Sequence, residues 1–217
     1  MHCRSESNSL SNPEPYNPLE RRNLEASIAK ALLARKPRSL ASLQSFNGAG
    51  IYAIYYKGSF PLYEPLVNRN KRQTFPTPIY VGKAIPRRTR KNSTNIFGVT
   101  KTKVLFRHLK NHASCIKAAK NLKTADFLYQ FLIVDEMWIA AGESLLIAKF
   151  APIWNNTING FGDQESGRGR NRCIKPRWDV LHPGRAWANR YEPRKENLQQ
   201  IQADVAHFLR SLPDPRP

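Results

Sequence analysis

The chain has 217 residues, 41% hydrophobic and 24% charged, an ordinary balance for a soluble globular protein with a real core. Lys and Arg number 35 against 16 Asp and Glu, so the formal net charge is +19 and the expected partner is a polyanion. No apolar run approaches the ~20 residues needed to cross a bilayer, the N-terminus has no apolar signal core, and three scattered cysteines (Cys3, Cys115, Cys173) argue against a disulfide framework or a zinc cluster and for a reducing compartment.

Taken in chain order, residues 1–16 are polar with Pro13 and Pro15, the composition of a disordered tail. Asn17-Pro18-x-Glu20 reads as a helix start, and Leu24, Ile28, Ala31 and Leu32 follow at helical spacing until Pro37. "GIYAIYY" (50–56) is rich in branched and aromatic residues and predicts a strand. Residues 57–77 hold Gly58, several prolines and the basic knot "NRNKR", and read as a long loop that touches phosphate. "PIYVGK" (78–83) predicts a second strand, followed by the basic loop "AIPRRTRKNSTNIFGVTKTK". Val104, Leu105, Leu109, Ala113, Ile116 and Ala119 predict a helix over about 102–121. "FLYQFLIVDE" (127–136) is the most strand-like run, and a core helix follows over 138–150. Residues 163–195 are Gly- and Arg-rich, and Leu198, Ile201, Val205, Phe208 and Leu209 predict a closing amphipathic helix. This divides the chain into a tail (1–16), an N-terminal helical extension (17–45), a small β–β–α–β–α core (46–160) and a basic loop with a C-terminal helix (161–217).

The charge is concentrated. No acidic residue occurs between Glu64 and Asp126, and fifteen Lys and Arg stand in that window. Nucleic acid is the polyanion this favours; a solvated basic surface is the plain alternative.

Glu143 shares its helix face with Ile139, Leu146, Ile147 and Phe150, so an apolar stripe carries one carboxylate. Burying an unpaired carboxylate is costly unless it is paired or holds a metal. Arg107, His108 and His112 lie on the preceding helix. His108 and His112 are four apart, yet the Glu of an H-E-x-x-H zinc motif is missing. Arg and His on one helix suit a phosphodiester under attack; phosphate docking alone is the simpler role. Asn155 and Asn156 follow the core helix, where an amide is either a cap or a ligand for phosphate or water.

An ordered set of elements across about 50–156 carries a resemblance: "GIY" at 50–52, "YVG" at 80–82, a basic helix with Arg107, then Glu143 and Asn155. It resembles the GIY-YIG nuclease superfamily. The longer stretch "GESLLIAKFAPIWN…GFG…SGRGR…WDVLHPGR.WA" is similar to a branch of type II restriction enzymes that cut the palindrome CCGCGG. The resemblance implies an α+β fold with a three-stranded, mainly antiparallel sheet flanked by helices, in a bacterial cytoplasmic enzyme. Tyr52 would act on the attacking water, Tyr80 would bond water or phosphate, Arg107 would stabilise the transition state, Glu143 would be the protein ligand of Mg²⁺, and Asn155 would brace the site.

The family sets an Arg and a His four apart, whereas residue 111 here is Asn. Either Arg107 reaches in from an adjacent position or His108 takes the Arg place, and either tyrosine could be the base. The long spacer between Tyr52 and Tyr80 reads as a DNA-contacting insertion. The expected DNA contacts are Arg69, Lys71, Arg72, Lys83, Arg87, Arg88, Arg168, Arg170, Arg172, Arg177 and Arg185, because arginine pairs bidentately with guanine. A palindromic double-stranded DNA target implies a homodimer. The rival reading is a non-catalytic nucleic-acid-binding protein, associated with RNA or DNA.

Overall fold

The computed structural model describes residues 17, 19–71, 75–86, 102–163 and 173–213. The expected disordered tail and most of the basic loop after the second strand lie outside these residues. So do Arg72, Arg87, Arg88, Arg168, Arg170 and Arg172.

Helix α1 spans Arg21–Leu33, later than the Asn17 start that the sequence predicts. Asn17 instead closes a turn, its side chain accepting from the Leu19 amide at 3.0 Å. The two-residue strand β1 (Arg38–Ser39) then pairs antiparallel with a later strand. Two residues are too few for an alternating pattern, which is why a three-stranded sheet was expected and four strands are found.

Strand β2 (Gly50–Tyr56) is buried at every position. Between it and the next strand the expected loop is largely structured. A 3₁₀ turn (Pro61–Tyr63) runs into helix α2 (Glu64–Arg69), with Tyr63 and Leu66 buried. The prolines that read as breakers stand at the first positions of these turns, where a missing N–H costs nothing and the fixed φ suits a helix.

Strand β3 (Tyr80–Ala84), helix α3 (Val104–Ala118), strand β4 (Phe127–Ile133) and helix α4 (Glu136–Phe150) follow close to the expected bounds. Ala151 ends α4 in the left-handed region, φ 42°, its amide closing on Ile147. Short helices α5 (Ile153–Asn156) and α6 (Arg177–Leu181) precede helix α7 (Leu198–Ser211), which a reciprocal Asn197–Gln200 capping box starts.

The sheet order is β1-β4-β2-β3, antiparallel throughout, so β2 is central and β3 an edge. Strand alternation sorts the side chains. Tyr52, Ile54 and their partners Gly82 and Tyr80 share one face, and Tyr52 meets α3 there. Ile51 and its partner Lys83 share the other face, where Gly142 of α4 closes on Ile51. A Cβ at Gly142 would stand 3.1 Å from Ile51 Cδ1, so a glycine is what lets the helix sit that close. One apolar core runs from Ala29 and Leu32 of α1 through the sheet to Val205 and Leu209 of α7; both terminal helices are part of it. No helix among the described residues is long and apolar enough to cross a membrane.

Of the β2 tyrosines, Tyr56 accepts the Phe60 amide at 2.8 Å, while Tyr55 is buried with no hydrogen-bond partner among the described residues. Tyr63 sits in a buried polar chain. Its hydroxyl meets His182 Nε2 at 2.6 Å and accepts from Trp154 Nε1 at 2.9 Å, and His182 Nδ1 lies 3.0 Å from Asn121 Oδ1.

Candidate active site

Tyr52 lies across Gly82, its cross-strand partner. A Cβ at Gly82 would fall 2.5 Å from the Tyr52 hydroxyl, so the glycine of "YVG" makes room for the phenol of "GIY". The sequence presents these as two separate tripeptides; the register makes them one device. Gly82→Ala is expected to push Tyr52 off its contact with His112 and to destabilise the fold by about 1–3 kcal/mol. Urea unfolding checks this, and unchanged stability would refute it.

The Tyr52 hydroxyl meets His112 Nε2 at 2.6 Å. His112 is buried, packs against Tyr80 (ring centroids 5.0 Å) and stacks on Phe161 (4.6 Å, 19° between planes). Gly162 follows in the left-handed region, φ 80°, and a Cβ there would stand 2.5 Å from His112 Cε1. Phe161 and Gly162 form the back wall of the imidazole, a role sequence reasoning missed; the "GFG" string was the available signal.

Burial holds His112 neutral, with His108 adding to the effect, and lowers its pKa to about 3; burial lowers that of His182 to about 3 as well. The unfolded chain, with ordinary histidines near 6.5, therefore takes up protons first as the pH falls. Their contribution to stability is complete above about pH 6.5 and declines as the pH falls toward 3, by about 1.4 kcal/mol per pH unit for each histidine. Urea unfolding at pH 7 and pH 5 measures this. Equal stability at both would show that these imidazoles are not buried neutral.

The phenols resist ionisation. Burial raises the Tyr52 pKa well above its ordinary value, with Tyr80 and Glu143 adding to it. Tyr80 is pushed up to about 12, by burial first and then by the negative charges of Glu143 and Asp163. Both therefore hold their protons at neutral pH.

Glu143 projects from α4, its side chain 15% exposed, and accepts from Lys83 Nζ at 2.6 Å. The carboxylate is thus neither in open solvent nor unpaired, and its charge reaches both phenols. Among the described residues no group of three or more His, Cys, Asp or Glu could hold a metal. A site built on Glu143 has one protein carboxylate, which suits a hard ion that keeps its waters and does not suit zinc. The Lys83 ammonium beside it shows that positive charge is accommodated at that place.

On α3, Arg107 is exposed, whereas His108 is half-buried with its ring edge-on to Tyr52 at 6.5 Å. The helix therefore presents His108 and His112 to the phenol. Burial and then the Arg107 charge lower the His108 pKa.

Asn155 turns its amide to the β3 edge. It accepts the Val81 N–H and donates to the Val81 C=O, both at 2.8 Å. The strand between Tyr80 and Gly82 is thereby held, and the edge is closed to further pairing. Asn156 donates to the Pro152 carbonyl at 2.8 Å.

Several expected DNA contacts have internal partners. Arg69 donates to the Leu212 and Pro213 carbonyls at 2.7 and 2.5 Å, anchoring the end of α7. Arg177 pairs with Glu196 and Asp204 and donates to the Thr157 carbonyl at 2.9 Å. Arg185 is 4% exposed, pairs in bidentate fashion with buried Asp179, and lies between Trp178 and Trp187, 4.7 and 4.5 Å from the ring centroids. It also donates to the Asp163 and Gly160 carbonyls at 3.0 and 2.8 Å. Arg185 is thus held by internal partners on both edges of its guanidinium and acts as a clamp within the fold. Lys71 is exposed.

A small antiparallel sheet, with two facing-strand tyrosines, a histidine helix on one side and a lone carboxylate helix on the other, defines a GIY-YIG nuclease domain. The family described as the Eco29kI GIY-YIG domain matches residues 44–209. The match spans more than half of the chain, which belongs to this restriction endonuclease family. No curated protein is similar enough to register as a match.

Proposed function

We propose that this protein is a Mg²⁺-dependent type II restriction endonuclease that hydrolyses double-stranded DNA as a homodimer at a palindromic, G·C-rich site, CCGCGG by its resemblance. The observation that carries the reading is the convergence of Tyr52, Tyr80, His108 and His112 beside a half-buried Glu143 whose charge both phenols feel. Glu143 would hold the ion with water and phosphate oxygens, and a divalent ion there supplies Lewis-acid stabilisation of the charge that builds on the phosphate. Tyr52 acts on the attacking water, as general base or its relay, with its hydroxyl positioned by the contact with His112 Nε2. Tyr80 orients the water or a phosphate oxygen. His108, which faces the phenol, takes the phosphate-facing position on α3, and Arg107 adds charge from the rim. Asn155 fixes the strand that carries Tyr80. Lys71 and the basic residues at 72, 87, 88, 168, 170 and 172 supply phosphate and base contacts, and a two-fold target brings two such sites together.

Digestion of a sequenced plasmid tests this directly. Discrete fragments with Mg²⁺, none with EDTA, and ends that map to one palindrome are the expected result. A gel shift without cutting under every divalent metal would replace the enzyme with a non-catalytic nucleic-acid-binding protein.

A further inference from the structure

Lys83 directly follows "YVG" and was expected to touch DNA, yet its ammonium lies 2.6 Å from Glu143 Oε2. The register explains the pairing. Lys83 stands opposite Ile51, on the face of the sheet that α4 covers, one residue away from the Tyr52–Gly82 pair on the other face. Glu143 follows Gly142, where α4 closes on Ile51 of the sheet, and its carboxylate lies beside Lys83 of the β3 edge. At 15% exposure, amid buried Ile139 and Leu146, that carboxylate needs a counter-ion. The lysine side chain is 41% exposed and its stem is flexible, so its head has room to leave.

We propose that Lys83 is the resident counter-ion of Glu143, and that a divalent ion binds by displacing the Lys83 ammonium, which then turns outward toward the DNA phosphates. The inference rests on Glu143 being the metal ligand. The ammonium and a divalent ion held on the two oxygens of one carboxylate repel each other strongly, so binding of the metal disfavours the lysine there. The pairing keeps Glu143 neutralised and correctly placed in the absence of metal, and it sets a threshold of metal concentration below which the site stays closed. Release of Lys83 also adds a positive charge on the DNA side at the moment the metal arrives.

The test titrates Mn²⁺ into full-length protein without DNA and follows the free ion by electron paramagnetic resonance. Lys83→Met is expected to bind Mn²⁺ more tightly than wild type by roughly tenfold, the order expected when one like charge is removed at this range. Lys83→Arg is expected to bind no more tightly than wild type, and Glu143→Gln to lose binding. Equal or weaker binding by Lys83→Met overturns the displacement while leaving Glu143 as ligand. Undiminished binding by Glu143→Gln overturns the ligand assignment, and the inference with it. A measurement on wild type stands in if Lys83→Met does not fold: labelling of Lys83 by an amine-reactive reagent, read by mass spectrometry, is expected to rise several-fold on addition of Mg²⁺. Unchanged labelling refutes the displacement.

Discussion

Glu143→Gln is expected to lower DNA cleavage by about 10³-fold or more and to leave salt-dependent DNA binding intact. The size follows from the chemistry: a bound divalent ion contributes several kcal/mol to a phosphoryl transition state, and each 1.36 kcal/mol is tenfold in rate. The glutamine keeps the size of the glutamate, so packing against Ile139 and Leu146 is preserved. It removes the carboxylate proposed to hold the metal, and it leaves Lys83 without its partner. One further consequence separates this from simple disruption. Glu143 helps to raise the pKa of Tyr52 and Tyr80, so the variant's phenols should titrate at lower pH than those of the wild type. Cleavage assays over a Mg²⁺ series, with spectroscopic tyrosine titration alongside, check both effects. Cleavage that survives at the wild-type rate would remove Glu143 from the chemistry.

Arg185→Met is expected to destabilise the fold by about 3–5 kcal/mol, the range for removing one partner of a buried ion pair and stranding the other. Asp179, itself buried, would be left with no guanidinium against it. For a chain of this size the loss corresponds to a melting temperature lower by roughly 10 °C. The damage also reaches the site. Arg185 holds the Gly160 and Asp163 carbonyls, and the segment between them carries Phe161 and Gly162, the wall behind His112. Calorimetry against wild type measures the shift, with gel-shift assays below the melting temperature as the control. A variant with unchanged melting but lost DNA binding would restore Arg185 to the role of base reader.

The strands of "GIYAIYY" and "FLYQFLI" were legible from their branched and aromatic residues, and the helices α3, α4 and α7 from apolar residues at helical spacing. The same periodicity picked out Glu143 as a carboxylate on an apolar stripe. What it missed was short or depended on partners far away in sequence. Strand β1 has two residues and owes its existence to β4. Helix α2 was hidden behind prolines that mark its start. Which of the adjacent α3 residues Arg107 and His108 stands nearer Tyr52 depends on the packing of α3, and it is His108 whose ring lies edge-on to the phenol.

The cations draw the line most clearly. From the sequence alone come the basic character of the molecule, its order of strands and helices and the members of the tyrosine–histidine–glutamate set, since composition and local pattern carry that information, while the antiparallel pairing was implied by resemblance. Only the tertiary structure decided that Arg69 and Arg185 have partners inside the fold and that Lys83 pairs with Glu143. Long charged side chains satisfy themselves with whatever the fold brings within a few ångströms, and those partners lie 6 to 144 residues away along the chain.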